Sequence, residues 1–592
     1  MGCCKCEMYK WDDPQDAIVC DMERREYCLF HAPAELKKRR HEELMNAAWE
    51  RINCVTEYNV GLPEAEHKVC ELSGSIFADD AYFTGLYFRG ATYFRHAIFE
   101  GEAYFRHTIF EGVADFAYAT FGEEANFSDV PFKGKTDFSS ATFKREANFS
   151  STSFGGVVSF KYATFEARAD FAEAILTGDA YLTKAIFEGD AYFSFATFRA
   201  VTSFRYATFG ETVDFSNVTF GGMTNFWYTI FREEAYFSEA RFGGADKKAT
   251  TIFSHAILGA SGRLHFTPRA ITGPFIADKT DFNGRVRFDD THFKDKVSFG
   301  ESNLGQVSFN LCKFDQQPIF DRTDLRKAEL IGAPVEDFRF MACKWPESKG
   351  RKITYDARKI NGNGFITIDN VEKIAPFPTQ GGSKKPNIPP LKHLEDLYRR
   401  LKKVARAEMD EPLASDFHYA EKEMMRLHGF EAFLGRNGSG HGLSLTARFQ
   451  GLGRYITLSL YRLISGYGEA PLRALWTLCM LLFTPYMLLE PTNNMVALWF
   501  VGIAFLFSQA WYIAPLLLAL VLQHMSQGVL GLHELPVEIG RTALDKWINF
   551  LPLTKLDSSI PAVPRILMLA WQVAITLQAA LFGFALRNRF RR

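Results

Sequence analysis

From Phe83 to Phe242 an aromatic residue or leucine recurs at spacings of five and six residues in strict alternation, thirty times without a slip. The series begins Phe83, Phe88, Phe94, Phe99, Phe105, Phe110, Phe116, and only Leu176 and Leu182 replace the ring. Two residues before each member sits a second, mostly small residue, as at Ala97, Ala103, Ala114, Ala119 and Ala125, with Thr92, Thr108, Val158 and Val213 as variants. A strand repeats every two residues and a helix every 3.6, so neither accounts for this register. An 11-residue period also occurs in right-handed coiled coils. The wealth of Gly, Ser, Thr and aromatics here opposes a helix. The chain must turn a corner every five or six residues, and four short faces close one square coil. The Phe then points inward and stacks on the Phe of the next coil, and the residue two before it is small because rings fill the axis. Backbone-bonded coils rise about 4.8 Å each, so the uninterrupted series spans about seven coils and roughly 35 Å.

Units such as AYFRHTIFEG, ADFAYATFGE, ANFSDVPFKG and AYFSFATFRA resemble pentapeptide repeats. The resemblance implies a right-handed quadrilateral β-helix. The register extends upstream through Leu72 and Phe77, blurs over 245–276, and resumes at Phe282, Phe288, Phe293, Phe299 and Leu304. The expected fold is mainly β: a solenoid over 72–333, distorted about 245–276 within one stack, followed by amphipathic helices and a C-terminal α-helical membrane bundle. The expected domains are a small Cys/His finger at 1–40, a linker or helical cap at 41–71, the solenoid, an irregular linker at 334–390, a helical connector at 391–465 and a transmembrane region at 466–592.

The first forty residues hold five of the ten cysteines: Cys3, Cys4, Cys6, Cys20 and Cys28. Zn²⁺ takes four soft or borderline ligands in a tetrahedron, and Cys28 with His31 makes a usable ligand pair. Cys6, Cys20, Cys28 and His31 form the simplest set for a structural Zn²⁺, with Cys3 or Cys4 able to replace Cys6. Free thiols or disulfides are the plainer alternative. The YCLFH ending resembles a small finger that precedes some pentapeptide-repeat domains. The MGCC start resembles an acylation signal, but Cys6 stands where Ser or Thr is required. Cys54, Cys70, Cys312, Cys343 and Cys479 read as packing residues.

Residues 391–433 read as one or two charged amphipathic helices, with Leu394, Leu397, Leu401 and Val404 at helical spacing and Ser415 as an N-cap. His418, Glu421 and Glu423 tempt a metal reading; a solvated helix face is the simpler one. The LYRRLKK and DFHYAEKEM segments resemble a connector between pentapeptide repeats and a membrane anchor. Three apolar runs follow, at 474–489, 496–522 and 566–586, the last trailed by Arg587, Arg589, Arg591 and Arg592. These read as membrane-spanning or interfacial segments. The basic C-terminus and the absence of an apolar leader place both ends on the cytoplasmic side, which asks for an even number of crossings. Localisation in a bacterial inner membrane follows from the resemblance.

The net charge of −1 gives no overall affinity for nucleic acid. No phosphate-binding loop, nucleophile elbow or His-Glu-x-x-His motif is present. Asp115, Asp137, Asp170 and Asp214 recur just before the central Phe and read as turn caps. The expectation is a non-enzymatic, membrane-anchored scaffold whose solenoid faces bind a protein partner, with homo-oligomerisation through the transmembrane region. A second expectation is an ion-channel-like or mechanosensing protein. Gly466-Tyr467-Gly468 resembles a potassium filter but precedes the first span, whereas a filter lies between two spans. A third is a DNA mimic that binds a topoisomerase, as some pentapeptide-repeat proteins do. Residues 81–245 carry 20 Asp/Glu against 14 Lys/Arg, too mixed for a strong mimic of a duplex.

Overall fold

The computed structural model describes residues 19–20, 26–33, 41–63, 66–243, 249–258, 263–268, 270–348, 350–359, 391–434, 444–468, 471–489, 551 and 562–590. The chain divides into two compact units, Met1–Phe365 and Ile366–Arg592.

The first unit is a parallel β-solenoid of about 12 turns. Two-residue strands occupy the four faces of each coil, as in Ala114–Asp115, Thr120–Phe121, Ala125–Asn126 and Pro131–Phe132. Each strand pairs in parallel with its equivalent one coil on: Ala114 with Thr136, Phe121 with Phe143, Ala125 with Ala147, Phe132 with Phe154. The ladder Phe rings lie inside. Phe116 stacks on Phe94 at 4.9 Å and on Phe138 at 4.8 Å, and Phe138 on Phe160 at 5.0 Å. Rings of adjacent faces meet edge to face, as Phe116 and Phe127 do at 5.4 Å and 84°, an arrangement the ring quadrupole favours. The alanines two residues before each ring are buried. At some of the threonines that take that place the hydroxyl bonds to the preceding coil, as Thr108 donates to the Phe83 carbonyl and Thr229 to that of Phe204, both at 2.7 Å. The buried hydroxyls of Thr136, Thr202 and Thr291 find no hydrogen-bond partner among the described residues.

Two corners of each coil turn through a residue with φ near +60°, and it is seldom glycine: His96, His107, Tyr118, Asp129, Ser140, Ser151, Tyr162 and onward. The four acids expected as caps serve these turns. Asp115, Asp137, Asp170 and Asp214 each accept from the backbone N–H two residues on, at 2.8–2.9 Å.

The blurred region belongs to the same stack. Asn225 pairs with Ile252 and Phe242 with Ile271, longer steps along the chain than elsewhere. Phe253, Phe266 and Phe275 fill the axis there. Pairing also continues beyond 333, where Phe320 pairs with Phe340. Phe338 and Phe340 extend the ring column, and Trp345 meets Phe340 at 5.2 Å. Helix α1 (His41–Tyr58) lies at the N-terminal end, where Arg51 donates to the Glu71 carbonyl and Thr56 to that of Tyr87. At the other end, buried Asp356 on helix α2 (Tyr355–Lys359) accepts from the Leu330 N–H at 2.9 Å.

The second unit is helical: α3 (Leu391–Ala407), α4 (Glu411–Phe433), α5 (Leu445–Ser465), α6 (Pro471–Leu489) and α7 (Ala562–Phe590). Helix α4 starts earlier than expected. Asp410, not Ser415, is its N-cap, accepting from the Leu413 N–H at 3.0 Å, with Pro412 in the first turn where a missing N–H costs nothing. Helices α4 and α5 touch through Gly429 and Gly451; a Cβ at Gly451 would stand 2.7 Å from the Gly429 carbonyl oxygen. Helix α7 holds α6 through Gln578, which donates to the Ala474 carbonyl at 2.7 Å, and Trp571, which donates to Leu481 at 2.8 Å. Among the described residues one helical stretch, Met568–Arg587, is long and apolar enough to cross a membrane. The run at 496–522 lies outside the described residues.

Candidate functional site

Cys28 and His31, the described end of the expected finger, sit on a tight turn, where the N–H groups of His31 and Ala32 both bond to the Cys28 carbonyl. Both side chains are fully buried. His31 Nε2 lies 2.8 Å from the Ser73 carbonyl, which can only accept, so Nε2 carries the proton. Nδ1 therefore turns its lone pair toward Cys28 Sγ, 3.2 Å away. Ligands at ordinary Zn–S and Zn–N lengths in a tetrahedron stand about 3.5 Å apart. A histidine whose second nitrogen donates to a backbone carbonyl is also the usual arrangement of a metal-binding imidazole. The pair thus fits half of a Zn²⁺ site. Cys20 lies on a short strand whose register pairs it with Glu26, two residues before Cys28. Cys6, Cys3 and Cys4 lie outside the described residues. No complete group of metal-binding side chains occurs among the described residues.

This turn also closes the solenoid. The Phe30 carbonyl accepts from the Ile76 N–H at 2.8 Å, the bond that a preceding coil supplies elsewhere, as Ser75 does for Ile98. The turn at Cys28–Ala32 and the first coil therefore share a backbone hydrogen bond.

The helical unit holds a buried ionic network that the sequence did not disclose. The solvated face expected for Glu421 and Glu423 is buried, and Glu395 with it. Two residues apart on a helix, Glu421 and Glu423 point to different sides. Glu421 meets Lys402 and Arg399 of α3. Glu423 binds Arg426 at 2.6 Å, Arg462 of α5 at 3.1 Å and the Tyr467 hydroxyl at 2.8 Å. Glu395 receives Arg399 at 2.8 Å and Arg454 of α5 at 3.4 Å. These cations hold the Glu421 and Glu423 carboxyls below the ordinary range against the opposing effect of burial. Burial and Lys402 push His418 down to about 4. His418 is thus a neutral packed residue here. Gly466, Tyr467 and Gly468 all have positive φ and end α5, with the Tyr467 ring buried and anchored on Glu423. The triplet is a helix terminus.

Residues 72–230 match the family model of pentapeptide repeats (9 copies), in overlapping segments beginning at 72–120 and ending at 182–230. The solenoid is thus built of pentapeptide repeats. None of the curated proteins matches the chain, and none of the solved structures does.

Proposed function

We propose that the protein is a non-enzymatic scaffold anchored in a bacterial inner membrane, with the solenoid on the cytoplasmic side offering its faces to a protein partner. The observation that carries the reading is the solenoid itself. Its interior is filled by stacked rings, and its outer side chains recur in register coil after coil, a surface suited to extended contacts rather than to a reaction cleft. Anchoring is supported by Met568–Arg587 and by the arginines that follow it. A structural Zn²⁺ held by Cys28 and His31, completed by Cys20 and Cys6, would fasten the N-terminal end. It would supply rigidity and no reaction.

Two measurements test this. The chain should stay with membranes through an alkaline wash and leave them in detergent, and crosslinkers placed along the solenoid in the native cell should capture a specific protein. A chain that is soluble without detergent, or a solenoid that captures nothing specific, defeats the proposal. Purified protein should contain about one zinc per chain; equal metal content in Cys28→Ser and His31→Gln variants removes the metal assignment.

A further inference from the structure

The two corners that turn through positive φ differ in chemistry. At one, successive coils present Lys161-Tyr162, Thr183-Lys184, Arg205-Tyr206 and Trp227-Tyr228. At the other they present Ala172-Glu173, Ser194-Phe195, Ser216-Asn217 and Ser238-Glu239. On these coils the first corner has three cations in succession and no acid. Further along the stack the same positions carry Asp278, Glu301 and Asp321, so the basic stretch is confined to the coils of Lys161 to Arg205.

Those cations rest on rings rather than on carboxylates. Lys161 lies 4.5 Å from the Tyr181 ring, Lys184 5.0 Å from Tyr162 and Arg205 4.5 Å from Trp227. None of the three has a carboxylate oxygen within 4.0 Å among the described residues. Asp179, two residues before Tyr181, accepts from its hydroxyl at 3.1 Å. Cation–π contact orders a long side chain without neutralising it. The corner therefore holds three positive charges in fixed places.

We infer that this corner seats an extended acidic segment of a protein partner, an inference that rests on the scaffold reading above. Carboxylates need N–H and O–H donors, and Lys161, Lys184, Arg205 and the exposed phenols of Tyr162 and Tyr206 supply them. Bases of a single-stranded nucleic acid need open ring faces. Here one face of each ring is already taken: by a cation at Tyr162, Tyr181 and Trp227, and at Tyr206 by Tyr228, stacked at 5.1 Å, which stacks in turn on His255 at 4.4 Å. The three cations span two coil steps, roughly 10 Å, the reach of about three residues of extended chain.

The test uses the full chain in a nonionic detergent, with a fluorescent decaglutamate peptide as probe and binding read by anisotropy. The triple variant K161Q/K184Q/R205Q should bind about tenfold more weakly than the wild type. E173Q/E239Q, on the opposite corner, should bind as the wild type does. Circular dichroism melts confirm that both variants are folded. Equal binding by the triple variant and the wild type overturns the inference. So does tighter, corner-dependent binding of oligothymidylate or of phosphatidylserine in mixed detergent micelles than of decaglutamate, which would give the corner to another polyanion. If native crosslinks form on other faces only, this inference falls and the scaffold reading stands; if no face yields a partner, the scaffold reading falls as well.

Discussion

The Tyr467 hydroxyl donates to Glu423 Oε2 at 2.8 Å, joining the turn after α5 to the middle of α4 across 44 residues of chain. Glu423 also binds Arg426 and Arg462, so one buried carboxylate ties together α4, α5 and the turn that leads to α6.

Glu423→Gln leaves the half-buried guanidinium groups of Arg426 and Arg462 without the buried carboxylate they share. Breaking such a pair costs about 3–5 kcal/mol. Tyr467→Phe removes one charge-assisted hydrogen bond and should cost about 1.5–3 kcal/mol. Thermal unfolding of the helical unit in detergent, with the double variant closing the cycle, measures both. Additive effects would show that the two residues do not communicate.

The same unit should weaken in acid, in two stages. His418 titrates near 6.5 when unfolded and at about 4 when folded, so between those values the unfolded chain binds more protons. Its contribution is whole above 6.5 and is lost as pH falls toward 4. Glu421 and Glu423 have folded values below the ordinary 4.5, so their contribution is whole above 4.5 and fails as pH drops below it. Unfolding scans from neutral pH to about pH 4 should slope downward, and His418→Asn should flatten the first stage. A flat wild-type profile contradicts the burial of this imidazole.

Phe138 is fully buried and stacked on Phe116 and Phe160. Phe138→Ala should cost about 3–5 kcal/mol. In a one-dimensional stack the damage is local. Hydrogen exchange should accelerate in the coils next to 138 and leave the coils past 282 unchanged.

Phe195 turns a corner at φ 59° with its ring largely exposed. Phe195→Gly relieves the left-handed backbone at the cost of a more flexible unfolded chain, for a net gain of about 0.5–1 kcal/mol. Tyr206 has the same backbone, φ 58°, but stacks on Tyr228. Tyr206→Gly should gain less or lose. Denaturant midpoints of the two variants decide.

The solenoid was readable in the sequence because one residue type occupies one geometric role at a fixed interval. Phe116, Phe138 and Phe160 announce their stacking by spacing alone. Beyond Phe242 the coils lengthen, and Phe253, Phe266 and Phe275 reach the axis from irregular positions. The separation of Cys28 and His31 suits one tight turn, but the Ser73 carbonyl that orients the imidazole lies 42 residues away and has no sequence signature. The ionic network was hidden for a similar reason. Glu421 and Glu423 look like surface residues on a charged helix until Lys402, Arg462 and Tyr467 arrive from elsewhere. Ser415 was a plausible cap, yet Asp410 and Pro412 made a better start one turn earlier.

Because Ala114 pairs with Thr136 and Thr136 with Val158, one turn is a module of 22 residues whose two ends superpose. Excising residues 139–160 would bring Lys161 to the place of Ser139 with every ring still in column. The distance between whatever is fastened at either end is therefore adjustable only in increments of one turn. A chain of this design can serve as a ruler, graduated in marks of about 5 Å.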